Sequence, residues 1–298
     1  MKHYSVLSKE VKQRLNIKPN GIYIDATLGL GGHTKMIAET DPSVKVYSFD
    51  QDPNAIAEAK KRLEGIDNVE IIYANFKDIK EELNKRGVDK VDGILYDLGT
   101  SYYQLTDEDR GFTYHGNSKL DMRMDPNGEL SAIEVVNEYS EEELANIFWM
   151  YGDERQSRKL AKAIVEAREN EKIVMNTQLN EIIRSVKGFN KDKHPSKNIY
   201  QAIRIEVNDE LGVIRKSVKD SLDLIKKGGV VAVISFHSLE DKVVKDIFWK
   251  AKSDIDETPM GNIHKFKTSK TIYPTAEEIE ENNASRSSKL RLITKLID

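Results

Sequence analysis

A chain of 298 residues is long enough for one large domain or two ordinary ones with a real core. Its 39% hydrophobic and 32% charged residues make a globular composition and exclude a disordered one. The lack of cysteine excludes disulfides, thiolate catalysis and cysteine-ligated zinc, and a formal net charge of -4 excludes a chain that is basic all over, though not a local basic surface.

The opening MKHYSVLSKEVKQRL carries no apolar core of signal-peptide length, and no run approaches the roughly 20 apolar residues that span a bilayer. A cytoplasmic protein with no membrane partner is expected. Residues 5–16 mix apolar and charged positions at helical spacing, and Pro19-Asn20-Gly21 marks a turn. Strands are then expected at 22–24, 44–49, 69–73 and 91–98, with helices at 35–39, 55–63 and 79–86 between them. Short apolar runs alternating with helices signal a parallel sheet with crossover helices. From residue 106 the rhythm changes. A loop-rich stretch, RGFTYHGNSKLDMRMDPNGEL, precedes helices at 141–150, 155–169 and 177–186, the first opened by a capping box of Ser140 and Glu143. The α/β rhythm returns with a helix at 199–227, a Gly228-Gly229 stop, a strand at 230–236, a helix at 238–250 and two strands in the tail. The expected organisation is one α/β domain, residues 1–105 and 198–298, interrupted by a mainly helical module at 106–197.

The first strand runs into DATLGLGGHT, which places Gly29, Gly31 and Gly32 where an open α/β sheet holds its ligand. Glycines there let the backbone approach a ligand, and the following helix start favours an anion. Asp50 ends the second strand and can accept both hydroxyls of a ribose. These features suit NAD and S-adenosylmethionine alike, and a plain glycine turn also fits the loop. The dinucleotide pattern counted from Gly29 asks for glycine at position 34, where this chain has Thr34, and His33 is large for an NAD loop. S-adenosylmethionine has no pyrophosphate and tolerates the looser loop.

The fourth strand ends YDLGTSYYQ. Asp97 stands where an acceptor would draw on the N–H protons of an exocyclic amine, whose lone pair is otherwise delocalised into its ring. Tyr102 and Tyr103 offer rings for base stacking. Equally, Asp97 could cap or hold the cofactor and the tyrosines pack inside.

The fragments DATLGLGGHT, FDQDP, DGILYDLGTSYYQLTDEDRGFTY, LDMRMD, HPSKNIYQAIRIEVNDEL, GGVVAVISFHSLEDKVVK and SRSSKLR occur in that order. Together they resemble the RsmH (MraW) family over residues 4–291. The resemblance implies a Rossmann-like class I S-adenosylmethionine-dependent methyltransferase fold with an inserted helical domain. It implies methyl transfer to the N4 amine of a cytidine in the 16S RNA of the small ribosomal subunit. It further implies that Gly31, Gly32 and His33 contact S-adenosylmethionine, that Asp50 holds its ribose, that Phe76 sits by the adenine, and that Asp97 and Gln104 complete the pocket. One departure stands out. The family reads Ser-Pro before the glutamine, and this chain has Tyr102-Tyr103, so the rigid φ of proline is lost.

Further candidates each carry two readings. Arg123, between Asp121 and Asp125, faces RNA or forms a local ion pair. Arg204 and Asn208, with Gln201, line an active-site cleft or a solvated stripe opposite Ile199, Ile203 and Val207. SFHSLEDK lacks the nucleophile elbow of a serine hydrolase. Ser238 and Asp241 fit a helix cap there, and His237 is a candidate RNA contact. Lys265, Lys267, Lys270, Arg286, Lys289, Arg291 and Lys295 in the tail track phosphates or only solubilise. His3, His115 and His264 read as ordinary surface or loop histidines, and no metal site is expected. Two rival readings are an NAD-linked oxidoreductase and a non-catalytic ribosome-assembly factor with a relic pocket.

Overall fold

The computed structural model describes residues 5–188, 194–258 and 261–297, without the side chains of Tyr102, Thr106, Glu108, 256–258 and 261. The chain divides into two compact units. One holds the residues up to Gly99 and those from Leu211, and the other is the unbroken stretch Thr100–Glu210.

The first unit begins with α1 (Ser8–Arg14) and continues as β1 (Ile22–Asp25), α2 (Gly32–Ala38), β2 (Lys45–Asp50), α3 (Pro53–Arg62), β3 (Val69–Tyr73), α4 (Ile79–Asn84) and β4 (Val91–Asp97). The second unit contains α5 (Tyr102–Thr106), α6 (Ala132–Glu138), α7 (Glu141–Gly152), α8 (Ser157–Asn170), α9 (Asn176–Lys187) and α10 (Lys197–Val207). After α11 (Glu210–Leu224) the first unit resumes with β5 (Ile225–Ser235), α12 (Ser238–Ser253), a hairpin of β6 (Ile255–Thr258) and β7 (Gly261–His264), β8 (Phe266–Thr268), α13 (Ala276–Glu281) and β9 (Lys289–Lys295).

Seven strands form one sheet in the order β3-β2-β1-β4-β5-β9-β8. β1 to β5 are parallel, while β9 is antiparallel to β5 and to β8. The apolar runs read from the sequence are those of strands covered on both faces. Ile24, Phe49, Ile94, Tyr96 and Val233 enter one buried cluster, and Tyr23, Val46, Leu95, Ala232 and Ile234 another. The parallel strands also fix where a ligand can sit. The order reverses direction between β1 and β4, so the carboxyl ends of these two strands flank the switch point.

The second unit has its own core of Phe112, Leu144, Phe148, Leu160, Ile183 and Ile203, among others. Ser140 caps α7 through the expected box with Glu143, and Ser131 with Glu134 does the same for α6, which lies between the expected loop and the first expected helix.

Several boundaries differ from expectation. The unit bounds fall at 99/100 and 210/211 rather than 105/106 and 197/198. The reason at the second bound is that Ile199, Tyr200, Ala202 and Ile203 of α10 pack in the second unit's core. The expected helix at 199–227 is two helices, because Asn208 caps α10 and Asp209 takes a left-handed φ of 45°. The fifth strand starts at Ile225, pairing with Val91, and the glycines fall where its register against β4 shifts rather than ending a helix. The first of the two expected tail strands, in NIHKFKTSKTIYP, splits at Lys265 into β7 and β8, which join different sheets. No helix among the described residues is long and apolar enough to cross a membrane.

Candidate functional site

At the end of β1, Asp25 is fully buried. Its Oδ1 accepts from the Thr27 amide at 3.1 Å and its Oδ2 from the Thr34 hydroxyl at 2.7 Å. The Thr34 hydroxyl also lies 2.9 Å from that of Ser48 on β2. Burial pushes the Asp25 carboxyl up to about 6, against the opposing pull of His33 and Thr34. The Thr27 hydroxyl accepts from the Asp97 amide at 2.7 Å, which ties the loop after β1 to the end of β4.

Asp50 closes β2. Its Oδ2 accepts from the Gly29 amide at 2.9 Å and its Oδ1 from the Asp52 amide at 2.9 Å. Burial raises its carboxyl to about 7 despite these two donors. Each oxygen keeps a second lone pair for a further donor. Gly31 holds a φ of 75° as the N-cap of α2, a conformation that favours glycine. A Cβ at Gly32 would meet the Ser5 hydroxyl, so that glycine admits the N-terminal segment as well as flanking the loop.

His33 stands in the first turn of α2 and is 4% exposed. Its Nε2 lies 3.5 Å from Asp97 Oδ2. Burial alone would lower its pKa, but the carboxylates of Asp97 and Asp25 outweigh it and raise the imidazole above its usual value. Neither ring nitrogen of His33 completes a hydrogen bond, and the buried Asp97 Oδ1 has no partner among the described residues. Buried polar atoms left in this state call for a ligand or water. Phe76 follows β3 on the same side of the sheet and meets the Tyr96 ring edge-on, centroids 5.5 Å apart. Tyr96 is fixed in turn by the hydroxyls of Ser217 and Ser221, each at 2.6 Å. Gly31, Gly32, His33, Asp50, Phe76 and Asp97 thus all belong to the first unit, at the carboxyl ends of β1 to β4.

The other expected residues are engaged elsewhere. Gln104 lies in the second unit, and its Oε1 accepts from the Ser101 amide at 3.0 Å in a capping box that starts α5. The proline of the family pattern is therefore replaced by a helix start with its own cap. The Tyr102 side chain lies outside the described residues, and Tyr103 is half-buried on α5. Arg123 forms the local ion pair. Its guanidinium grips Asp121 at 2.6 and 3.0 Å and donates to the Gly128 carbonyl at 2.8 Å. Arg204 pairs with Glu210 at 2.6 and 3.0 Å. Asn208 is not on a solvated stripe. It donates to the Met122 carbonyl at 2.8 Å and accepts from the Met124 amide at 2.7 Å, bracing the LDMRMD loop.

His237 is the N-cap of α12, in a box with Glu240, which corrects the assignment of that cap to Ser238 and Asp241. Asp241 instead binds Arg291 at 2.6 and 3.1 Å and Lys289 at 3.3 Å, so these two tail cations pin β9 to α12 rather than track phosphates. Asp241 is only 8% exposed, and Arg291 holds its carboxyl low in spite of burial. Asp241→Ala is expected to cost about 2–3 kcal/mol of stability by leaving both cations without their acceptor. Urea denaturation of the variant checks it; a loss under about 0.5 kcal/mol would contradict the pinning role.

In the sequence Thr34 reads only as a missing glycine, and Thr27 and Ser48 do not stand out. The signal was present in the hydroxyl residues at positions 27 and 34 around a buried acid, but their partner at 48 comes from the next strand. The arrangement presents three carboxyls, an imidazole and the turn backbone of Gly29 to Gly32 at the carboxyl ends of β1, β2 and β4. It can bind a ribose and orient a hydrogen-bond donor at Asp97.

Residues 1–296 match the family model described as the MraW methylase family. A ribosomal RNA small subunit methyltransferase H from Clostridioides difficile (strain 630) is 44% identical, covering 99% of both chains. One of the same name from Fusobacterium nucleatum subsp. nucleatum is 44% identical over 99% of this chain and 98% of its own. Among solved structures, an rRNA methylase from Streptococcus thermophilus aligns over 97% of this chain and 93% of its own at 13% identity, with a TM-score of 0.43.

Proposed function

This chain belongs to the MraW methylase family, and we propose that it transfers a methyl group to the N4 amine of a specific cytidine in the 16S RNA of the small ribosomal subunit, in the cytoplasm. It is a methyltransferase of ribosomal RNA that uses S-adenosylmethionine. Its fold is the Rossmann-like one of the class I S-adenosylmethionine-dependent enzymes, parallel through β5 with β9 reversed beside it.

The residues fit this cofactor. The lone pairs left on the Asp50 carboxyl suit the two ribose hydroxyls, and the orphaned nitrogens of His33 suit polar groups at the amino-acid end. Gly31 and Gly32 give that end access to backbone, Phe76 takes the adenine side, and Gln104 is kept as a further contact. When bound, S-adenosylmethionine supplies an electrophilic methyl carbon on a sulfonium.

The observation that carries the substrate reading is the buried, unpartnered Oδ1 of Asp97 at the switch point. It accepts an N–H of the target amine, drawing the nitrogen toward sp3 and freeing its lone pair. Methylation of that lone pair would release one N–H proton from N4, and the Asp97 carboxylate that accepts this N–H would be the group to receive it. The carboxylates of Asp97 and Asp25 raise the pKa of the His33 imidazole, which stands 3.5 Å from Asp97 as its electrostatic partner. A cytidine must be unstacked to reach such a recess. Tyr103 and His237 remain proposed RNA contacts; Arg123, Arg204 and Asn208 hold the second unit's loops in place.

The test is incubation with methyl-labelled S-adenosylmethionine and small subunits from cells lacking this protein. Label in the RNA is expected. Bound cofactor without label would favour the assembly factor, and tight NAD binding without S-adenosylhomocysteine binding the oxidoreductase.

Asp50 makes the site pH-sensitive. Its carboxyl titrates near about 7 in the unliganded protein, and the ionised form is the better acceptor for ribose hydroxyls. Affinity for S-adenosylhomocysteine should therefore rise as pH climbs from 6 to 8, with proton release on binding below neutrality. Calorimetry in two buffers of different ionisation enthalpy measures this. An identical pH dependence in Asp50→Asn would sink the assignment.

A further inference from the structure

On the second unit, the end of α7 and the start of α8 enclose an open groove of about 590 Å³. One wall is Trp149 with Asn146, a helical turn apart on α7; the other is Arg155, Gln156, Arg158 and Lys159. We propose that this groove binds a single-stranded segment of the RNA substrate, with one base stacked on Trp149 and the flanking phosphates on Arg155, Arg158 and Lys159. The proposal rests on the reading of the chain as an RNA methyltransferase.

Three observations carry it. Trp149 is 59% exposed although its unit has a well-filled core a turn away in Leu144 and Phe148. An indole left in water on a helix is an unusual use of the largest apolar side chain, and it is the ring on which bases stack best. Second, Arg155, Arg158 and Lys159 make no ion pair or hydrogen bond with other described residues, in contrast to Arg123, Arg204 and Arg291. Third, no carboxylate lines the groove. The nearest buried acid, Glu154, is turned to Lys187 and to the Gln156 amide. In a chain of net charge -4, three unpaired cations beside a bare indole form a patch of opposite sign to the whole. Its size lies within the range of about 300–1,000 Å³ typical of small-ligand sites. An anionic polymer with flat, stackable rings matches this chemistry. A protein partner matches it less well, since beside Trp149 the lining offers only Ala145 as an apolar side chain.

The chain has two tryptophans, so Trp249→Phe leaves Trp149 as the only indole. In that variant, titration with small-subunit RNA should quench the fluorescence saturably and in a salt-dependent way. Trp149→Ala should raise the KM for RNA about tenfold, with kcat and S-adenosylhomocysteine affinity unchanged. Trp149→Phe should recover most of the loss. Replacing Arg155, Arg158 and Lys159 together by alanine should flatten the salt dependence of binding by about 2, at roughly 0.7 per phosphate contact on a single strand. Because all four side chains are exposed, folding of the variants can be verified by circular dichroism. Wild-type KM in Trp149→Ala, with no quenching, would overturn the groove and leave the methyltransferase reading standing. Quenching by intact subunits but not by their extracted RNA would assign the groove to a protein and also overturn the proposal. No transfer to RNA by the wild-type enzyme would overturn the reading on which it rests.

Discussion

Asp97→Ala is expected to lower kcat for RNA methylation by about 10²- to 10⁴-fold, the span of a positioned acid–base group. The effect follows from where the side chain sits. One oxygen faces the His33 imidazole at 3.5 Å, and the other is buried without a partner. Truncation removes the acceptor that draws on the amine and leaves His33 without its main stabilising charge, so the histidine's raised pKa should fall back. The backbone amide of residue 97 still donates to Thr27, so the loop after β1 keeps its anchor. Affinity for S-adenosylhomocysteine should therefore change by no more than about tenfold, and KM for RNA by less. Asp97→Asn keeps one acceptor oxygen but no charge and should fall between the two. An Asp97→Ala enzyme near full activity would remove Asp97 from the chemistry.

The second large effect is structural. Gly111→Ala should destabilise the protein by about 4 kcal/mol or more. Gly111 has a φ of 70°, where a side chain costs about 1–2 kcal/mol. A Cβ there would also run into the Lys119 carbonyl and stand 2.6 Å from the Asp121 amide nitrogen. Both obstacles are backbone, so neither can rotate away. The segment they belong to is tied to the residue beside Gly111, since the Arg110 carbonyl accepts from the Met122 amide and its guanidinium donates to the Arg123 carbonyl at 2.8 Å. Gly228→Ala is the matched control. Its φ is 80° but its Cβ would meet nothing within 4 Å, so only the backbone penalty of about 1–2 kcal/mol applies. Equal losses in the two variants, measured by denaturant unfolding, would show that the close approach at Gly111 is not rigid.

Much of the first unit was legible because its signals are local. Strands such as VVAVIS are apolar on both faces, and the glycine loop and Asp50 lie within one βαβ unit whose geometry is nearly fixed. Asp97 stood out by its place at a strand end, whereas His33 came from the family resemblance alone. What the sequence hid was partnership across distance. Arg123, Arg204 and Arg291 look alike as isolated cations, yet each is taken by an acid that only the fold brings into line, at Asp121, Glu210 and Asp241. Asn208 looked like part of a polar stripe because helical spacing says which residues share a face, not whether the helix stops there. Gln104, a cofactor contact by family pattern, also begins a short helix with its carboxamide where the family has proline, a second role that its sequence position does not reveal. The unpaired cations around Trp149 escaped notice for the converse reason: nothing in RQSRK tells which charges remain unmatched.

The central claim is that Asp97 directs a methyl group to the exocyclic amine of a cytidine. It is tested most directly by digesting small-subunit RNA to nucleosides after reaction with methyl-labelled S-adenosylmethionine and identifying the labelled nucleoside by mass spectrometry. Label is expected in N4-methylcytidine alone, at one methyl per RNA, and absent when Asp97→Ala replaces the wild-type enzyme. Label on a ring carbon, on a ribose hydroxyl or on another base would contradict it.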